Sequence, residues 1–132
     1  MNCLLDTHTL IWAVTEPQKL SSRVKSILED TSNEIAVSAI SFWEIALKHS
    51  LHKLELKGLT PDDFLTAATE TGFRLLNLDS LTAITYHNLS ATYHRDPFDR
   101  MLIWQALKNN YWLVSKDESI HKYVNEGLNV LW

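Results

Sequence analysis

The sequence predicts an α/β fold, a single domain whose parallel sheet of about five short strands is flanked by helices. Three observations predict it. Short apolar runs alternate with longer segments of helical periodicity; glycine, proline and capping residues punctuate the junctions; and 132 residues suffice for one domain with its own core, assigned to residues 1–132.

In chain order, Cys3 to Leu5 reads as a strand, and Asp6 as the cap of a helix starting near Thr7. Ser21 to Asp30 spaces Val24, Ile27 and Leu28 at helical intervals. Glu34 to Ser38 is the second strand, followed by an apolar helix start, Ala39-Ile-Ser-Phe-Trp-Glu-Ile-Ala-Leu47. Leu51 to Gly58 is the least regular stretch and reads as a connection between helices. Pro61 to Glu70 has proline at the first helical position after Thr60, and Gly72 sits where that helix ends. Phe73 to Leu76, Trp112 to Ser115 and Leu128 to Leu131 complete the strands. Asp96-Pro97 opens a helix running through Met101, Leu102 and Ala106, and Gly127 ends the last one.

Apolar residues make up 45% of the chain and charged ones 21%, the balance of a globular protein. Its single cysteine forms no internal disulfide, which with the absence of a positive leader points to a reducing, cytoplasmic location. No stretch approaches the length of a membrane span, so no membrane partner is expected. A formal net charge of -4 argues against wrapping nucleic acid by bulk electrostatics. It is compatible with an enzyme that gathers carboxylates around divalent cations.

Candidate chemistry lies in Asp6, Glu44, Asp99 and Asp117. Asp6 follows the first strand and Asp117 the strand ending at Ser115, so both fall at strand carboxyl ends, where open α/β sheets form their ligand crevice. Asp99 lies in His94-Arg-Asp-Pro-Phe-Asp-Arg100 at a helix opening. Glu44 is the only charged side chain in an apolar helix start, costly to bury without a partner. Capping alone explains Asp96, and is an even alternative for Asp6 and Asp117; for Asp99 the site reading is preferred. Independent caps have no reason to gather at one crevice, whereas a hard cation needs oxygen ligands from several directions.

Asp6 after an apolar strand, Glu44 on the third helix, Asp-Pro-Phe-Asp-Arg at 96 to 100 with Leu102, Ile103 and Ala106 behind it, and Ser-Lys-Asp at 115 to 117 together resemble the acidic signature of PIN domains. The His94 to Arg100 segment resembles the VapC-type toxins of bacterial toxin-antitoxin pairs. The resemblance implies a ribonuclease that hydrolyses RNA with Mg²⁺ or Mn²⁺ held by Asp6, Glu44, Asp99 and Asp117. It also implies a homodimer inhibited by a cognate antitoxin. Ser115 stands where threonine often does.

His49 and His52 with Lys48 and Lys53 read as a solvated helix end, with RNA phosphate contact as the alternative. His94 and Arg100 are placed against the substrate backbone or, for the arginine, against a structural carboxylate. Trp12, Trp43, Trp104, Trp112 and Trp132 are assigned mostly to the core, with Trp12 the candidate for a partner surface. A haloacid-dehalogenase phosphatase would need an aspartate where His8 stands. A receiver domain would need its phospho-acceptor at the middle strand, and Asn77-Leu-Asp79 is offset from that place. A PIN scaffold that binds RNA or protein without cutting is the remaining alternative.

Overall fold

The computed structural model describes residues 1–132. Strands β1 (Asn2–Leu5), β2 (Glu34–Ser38), β3 (Arg74–Leu76), β4 (Trp112–Val114) and β5 (Asn129–Leu131) form one sheet in the order β3-β2-β1-β4-β5. Every neighbouring pair is parallel, with Leu4 opposite Ala36 on one side and Leu113 on the other. Helices α1 (Thr7–Thr15), α2 (Ser22–Glu29), α3 (Ala39–Ser50), α4 (Pro61–Thr71), α5 (Ser80–Thr85), α6 (Pro97–Asn109) and α7 (Glu118–His121) connect them.

Both sheet faces are buried, because strand side chains alternate with a period of two. Cys3 and Leu5 of β1, with Ile35 and Val37 of β2, pack beneath Leu10, Val24, Ile45 and Phe64 of the first four helices. Leu4, Ala36 and Leu113 point the other way, against Leu102, Ile103 and Ala106 of α6 and against Ile120 and Tyr123. The runs of consecutive apolar residues in the central strands, Cys3 to Leu5, Ile35 to Val37 and Trp112 to Val114, are therefore the mark of doubly covered strands.

The helix ends follow local chemistry. Thr60 and Asp63 form a reciprocal capping box at the start of α4. Gly72 (φ 87°) and Gly127 (φ 91°) terminate their helices in the left-handed conformation that lacks a penalty only for glycine. Residues 51–60 contain no helix or strand, and Leu56 pins this connection into the core. The short α5 is not predicted from the sequence. It is capped by Asp79, which accepts from Thr82 N at 2.7 Å, and contributes few core residues, so its apolar periodicity is too brief to register. No helix is long and apolar enough to cross a membrane.

Trp43 corrects the core assignment of the tryptophans. Trp104 is buried, whereas Trp43 is 59% exposed and rests edge-on against Phe98, because α3 turns its Ile40 and Ile45 inward instead.

Candidate metal and active site

The strand order places a topological switch between β1, from which the chain proceeds to β2 and β3, and β4, from which it proceeds to β5. Loops leaving adjacent strands on opposite sides of such a switch diverge and open a crevice at the carboxyl edge. Asp6 leaves β1 there, and its amide donates to Val114 O at 3.1 Å, tying the two strand ends together. Asp117 leaves β4 after Ser115 and Lys116. Helix α6 precedes β4 and runs against it, so its first turn, with Asp96 and Asp99, returns to the same edge.

A cavity of about 400 Å³ lies at this junction, lined by Asp6, His8, Trp12, Asp96, Asp99, Lys116 and Asp117. Three of the four sequence-predicted acids thus share one wall-to-wall space. The fourth, Glu44, is buried but does not line the cavity; its Oε2 pairs with Lys48 one helical turn on. Its other oxygen, Oε1, is buried with no hydrogen-bond partner.

Capping and clustering are not alternatives here, because they use different oxygens. Asp6 Oδ1 accepts from Thr9 N at 2.8 Å and caps α1. Asp117 Oδ1 accepts from Ser119 N at 2.7 Å and caps α7. A carboxylate with one oxygen fixed by a backbone amide is restrained in its rotamer, and capping by Oδ1 is compatible with Asp6 and Asp117 both lining the cavity. Asp96 behaves as a cap, accepting at Oδ1 from Phe98 N at 2.9 Å and Asp99 N at 3.2 Å. Asp99 caps nothing and receives no hydrogen bond of its own.

The electrostatics separate these acids. Burial raises the Asp6 carboxyl above the ordinary aspartate range, against hydrogen bonds from Ser115 and Thr9 that favour the charged form. Asp99 is pushed up to about 8, first by burial and then by the charges of Asp96, Asp6, Glu44 and Asp117. Burial opposes the charge on Lys48, yet the hydrogen bond and charge of Glu44, with Asp96 and Asp99 beyond, hold that ammonium above its usual value. Ser115 is fully buried; its Oγ accepts from Asp117 N at 3.1 Å, so the hydroxyl organises the two acids that follow the central strands.

The donors are carboxylate oxygens from several elements around one space, with like charges unbalanced and one buried oxygen orphaned. That is the chemistry a hard divalent cation satisfies. A family model described as the PIN domain matches residues 3–126. The chain belongs to the PIN domain family. Among relatives of this PIN domain, Ribonuclease VapC22 of Mycobacterium tuberculosis is 28% identical over 129 residues, covering 98% of this chain and 97% of that protein. A DNA-bound VapBC2 structure from Rickettsia felis shares the PIN fold at TM-score 0.70 and 17% identity, covering 99% of this chain and 98% of that one. DNA-bound VapBC from Salmonella typhimurium is similar at TM-score 0.70 and 19% identity, covering 99% and 97%.

Of the two flanking residues, Arg100 departs from expectation. Arg100 meets neither a substrate-facing opening nor a carboxylate. It is buried, and its guanidinium donates to Tyr86 Oη (2.7 Å), Ala91 O (2.6 Å), Tyr123 Oη (2.8 Å) and Leu89 O (2.8 Å). Its role in this PIN domain is to stitch the segment before α6 to the residues after α7. His94 sits beside Asp99, its Nε2 3.7 Å from Asp99 Oδ2. His49 and His52 are exposed at the end of α3, as expected of a solvated terminus.

Sequence reasoning missed the walls. Trp12 lies two turns after Asp6 on α1, with Lys116 Nζ 5.9 Å from its ring centre. The pairing of Glu44 with Lys48 was available as an i,i+4 spacing.

Proposed function

We propose that the chain is a metal-dependent endoribonuclease, the toxin of a toxin-antitoxin pair, that hydrolyses RNA phosphodiesters. The observation that carries this is the convergence of Asp6, Asp99 and Asp117 on one cavity, with Asp99 pushed up to about 8 first by burial and then by the acids around it. Similarity to a ribonuclease over nearly the full chain supports the substrate class.

Asp6, Asp99 and Asp117 would hold Mg²⁺ or Mn²⁺ through the oxygens not used in capping, and the orphaned Oε1 of Glu44 would complete the site, directly or through water. When bound, the cation supplies a more acidic water and neutralises charge on the scissile phosphate and leaving oxygen. Asp6 and Asp117 act as fixed posts, since their caps prevent rotation. Asp99 gives up a proton it would otherwise retain, and His8 and Trp12 bound the space the substrate backbone enters. Lys116 is the one lysine or arginine lining the cavity, suited to a phosphate oxygen on the way in.

Similarity to VapBC assemblies supports a cognate antitoxin as partner. We further assign a homodimer and a cytoplasmic location, on the resemblance to VapC-type toxins. The test is cleavage mapping on total RNA with purified protein, with and without Mg²⁺ or Mn²⁺ and with chelator. Discrete, metal-dependent ends lost in Asp99→Asn are expected. RNA that is bound but left whole under all metals would establish the non-cutting scaffold instead.

A further inference from the structure

We propose that His94 is a nitrogen ligand of the divalent cation, so that its Nε2 joins carboxylate oxygens of Asp99 and Asp117 in a mixed donor set. The proposal rests on the metal-dependent reading above and adds a residue that the acidic signature does not contain.

Geometry is the first support. One ligand atom from each of His94, Asp99 and Asp117 lies within 4.8 Å of the other two. The His94 Nε2 to Asp99 Oδ2 separation is 3.7 Å, too long for a hydrogen bond. Two atoms bound at about 2.1 Å to one cation stand about 3 Å apart when adjacent and about 4.2 Å when opposed, so 3.7 Å falls within that span.

The second support is independent of the acids. His94 Nε2 is sealed from solvent and has no hydrogen-bond partner in the protein. An imidazole nitrogen in that condition is costly unless something occupies it. Its ring is aimed rather than loose: Nδ1 lies 3.2 Å from Tyr123 Oη, and the two rings meet edge to face at 5.5 Å.

The network behind Tyr123 accommodates the tautomer that a metal ligand needs. Arg100, which can only donate, gives a hydrogen bond to Tyr123 Oη at 2.8 Å, and the tyrosine's own proton has Ala91 O at 3.4 Å. With the tyrosine's proton on Ala91 O, the remaining lone pair of Oη is free to accept from Nδ1–H in the metal-bound form. This leaves the Nε2 lone pair bare and facing the acids, the form a metal-ligating histidine takes when its other nitrogen donates outward. Arg100 and Tyr123 are therefore positioning residues for His94, which explains why an arginine is buried here without a carboxylate.

A nitrogen donor favours Mn²⁺ over Mg²⁺, which prefers an all-oxygen shell. The experiment uses the full chain and the metals alone. Pulsed electron paramagnetic resonance on the Mn²⁺-loaded protein should show nitrogen coupling that disappears in His94→Ala. Titration calorimetry should show Mn²⁺ affinity falling at least tenfold in His94→Ala, with Mg²⁺ affinity changing less. Tyr123→Phe should weaken Mn²⁺ about tenfold, as lost support behind a ligand does. Wild-type protein that binds Mn²⁺ without nitrogen coupling, or a His94→Ala protein with unchanged Mn²⁺ affinity, would overturn the proposal and leave His94 a neighbour of Asp99. Binding of neither metal at millimolar concentration would overturn the metal-dependent reading itself.

Discussion

Asp99 and Arg100 are adjacent in the first turn of α6, both largely withdrawn from water, and they are treated in opposite ways. Arg100 turns back into the protein, where two carbonyls and two phenols take its protons. Asp99 turns into the crevice, where burial and other acids oppose its charge and no protein group donates to it. One helical turn thus holds a satisfied charge that fixes the scaffold and a frustrated one that is stabilised only by binding something. The difference teaches where stability has been given up for chemistry.

The largest effect is expected at the satisfied side. Arg100→Ala would orphan two backbone carbonyls and two hydroxyls; at roughly 1 to 3 kcal/mol for each, the loss is on the order of 5 kcal/mol, comparable with the whole stability of a small domain. Urea denaturation should find the variant unfolded or nearly so, and a cooperative transition near that of the parent would break the comparison.

Asp99→Asn should do the reverse. Cleavage of RNA is expected to fall by about a hundredfold or more, while the metal-free variant becomes more stable than the parent near neutral pH, because an amide is neutral without the proton that folding forces onto the Asp99 carboxyl. Loss of both stability and activity would mean that Asp99 is structural after all.

Glu44→Gln sharpens the middle ground, because this acid is half satisfied. Lys48 is 32% exposed and turns to water when its partner is neutralised, so the cost there is limited to about 1 kcal/mol, and relief of repulsion with Asp6, Asp99 and Asp117 offsets it. Metal-dependent cleavage should nevertheless collapse, with apo stability close to wild type. A strongly destabilised protein that still cuts at the parent rate would remove Glu44 from the site.

The pH dependence of the metal-free protein reads the frustration directly. Folded Asp99 keeps its proton up to about 8, whereas the unfolded chain releases it near the ordinary 3.8. The folded state therefore binds more protons between those values, and its contribution to stability is complete below pH 4 and lost as pH rises through 8. Thermal melts from pH 4 to 8 should show this decline flattened in Asp99→Asn.

The smallest expected effect is that of added cation. Millimolar Mg²⁺ or Mn²⁺ should raise the melting temperature at pH 8 by on the order of 5 °C, since it binds only the folded arrangement. Asp99→Asn should lose most of that shift, and Arg95→Ala, outside the cavity lining, should keep it.

Much of the frame was legible along the chain. The strand at Glu34–Ser38 was read with its observed limits, and the others within a residue or two, because buried parallel strands must be short apolar runs. Asp96, Thr60, Gly72 and Gly127 announced their helix ends, because caps act over a few residues. Acids following the strand runs were readable for the same reason: crevice position depends on strand direction, which a parallel α/β pattern implies.

What the chain order did not contain was decided by packing across long separations. The sequence determined that Asp6, Asp99 and Asp117 lie at strand and helix ends. Only the tertiary structure decided that Glu44 sits behind the cavity and does not line it, that Arg100 is held by Tyr86, Leu89, Ala91 and Tyr123, and that Trp43 faces solvent. Periodicity and capping are set by neighbours within a turn. What lines a cavity is set by which elements the sheet order brings together, and in a 3-2-1-4-5 sheet those elements, such as the ends of β1 and β4 that carry Asp6 and Asp117, stand far apart in sequence.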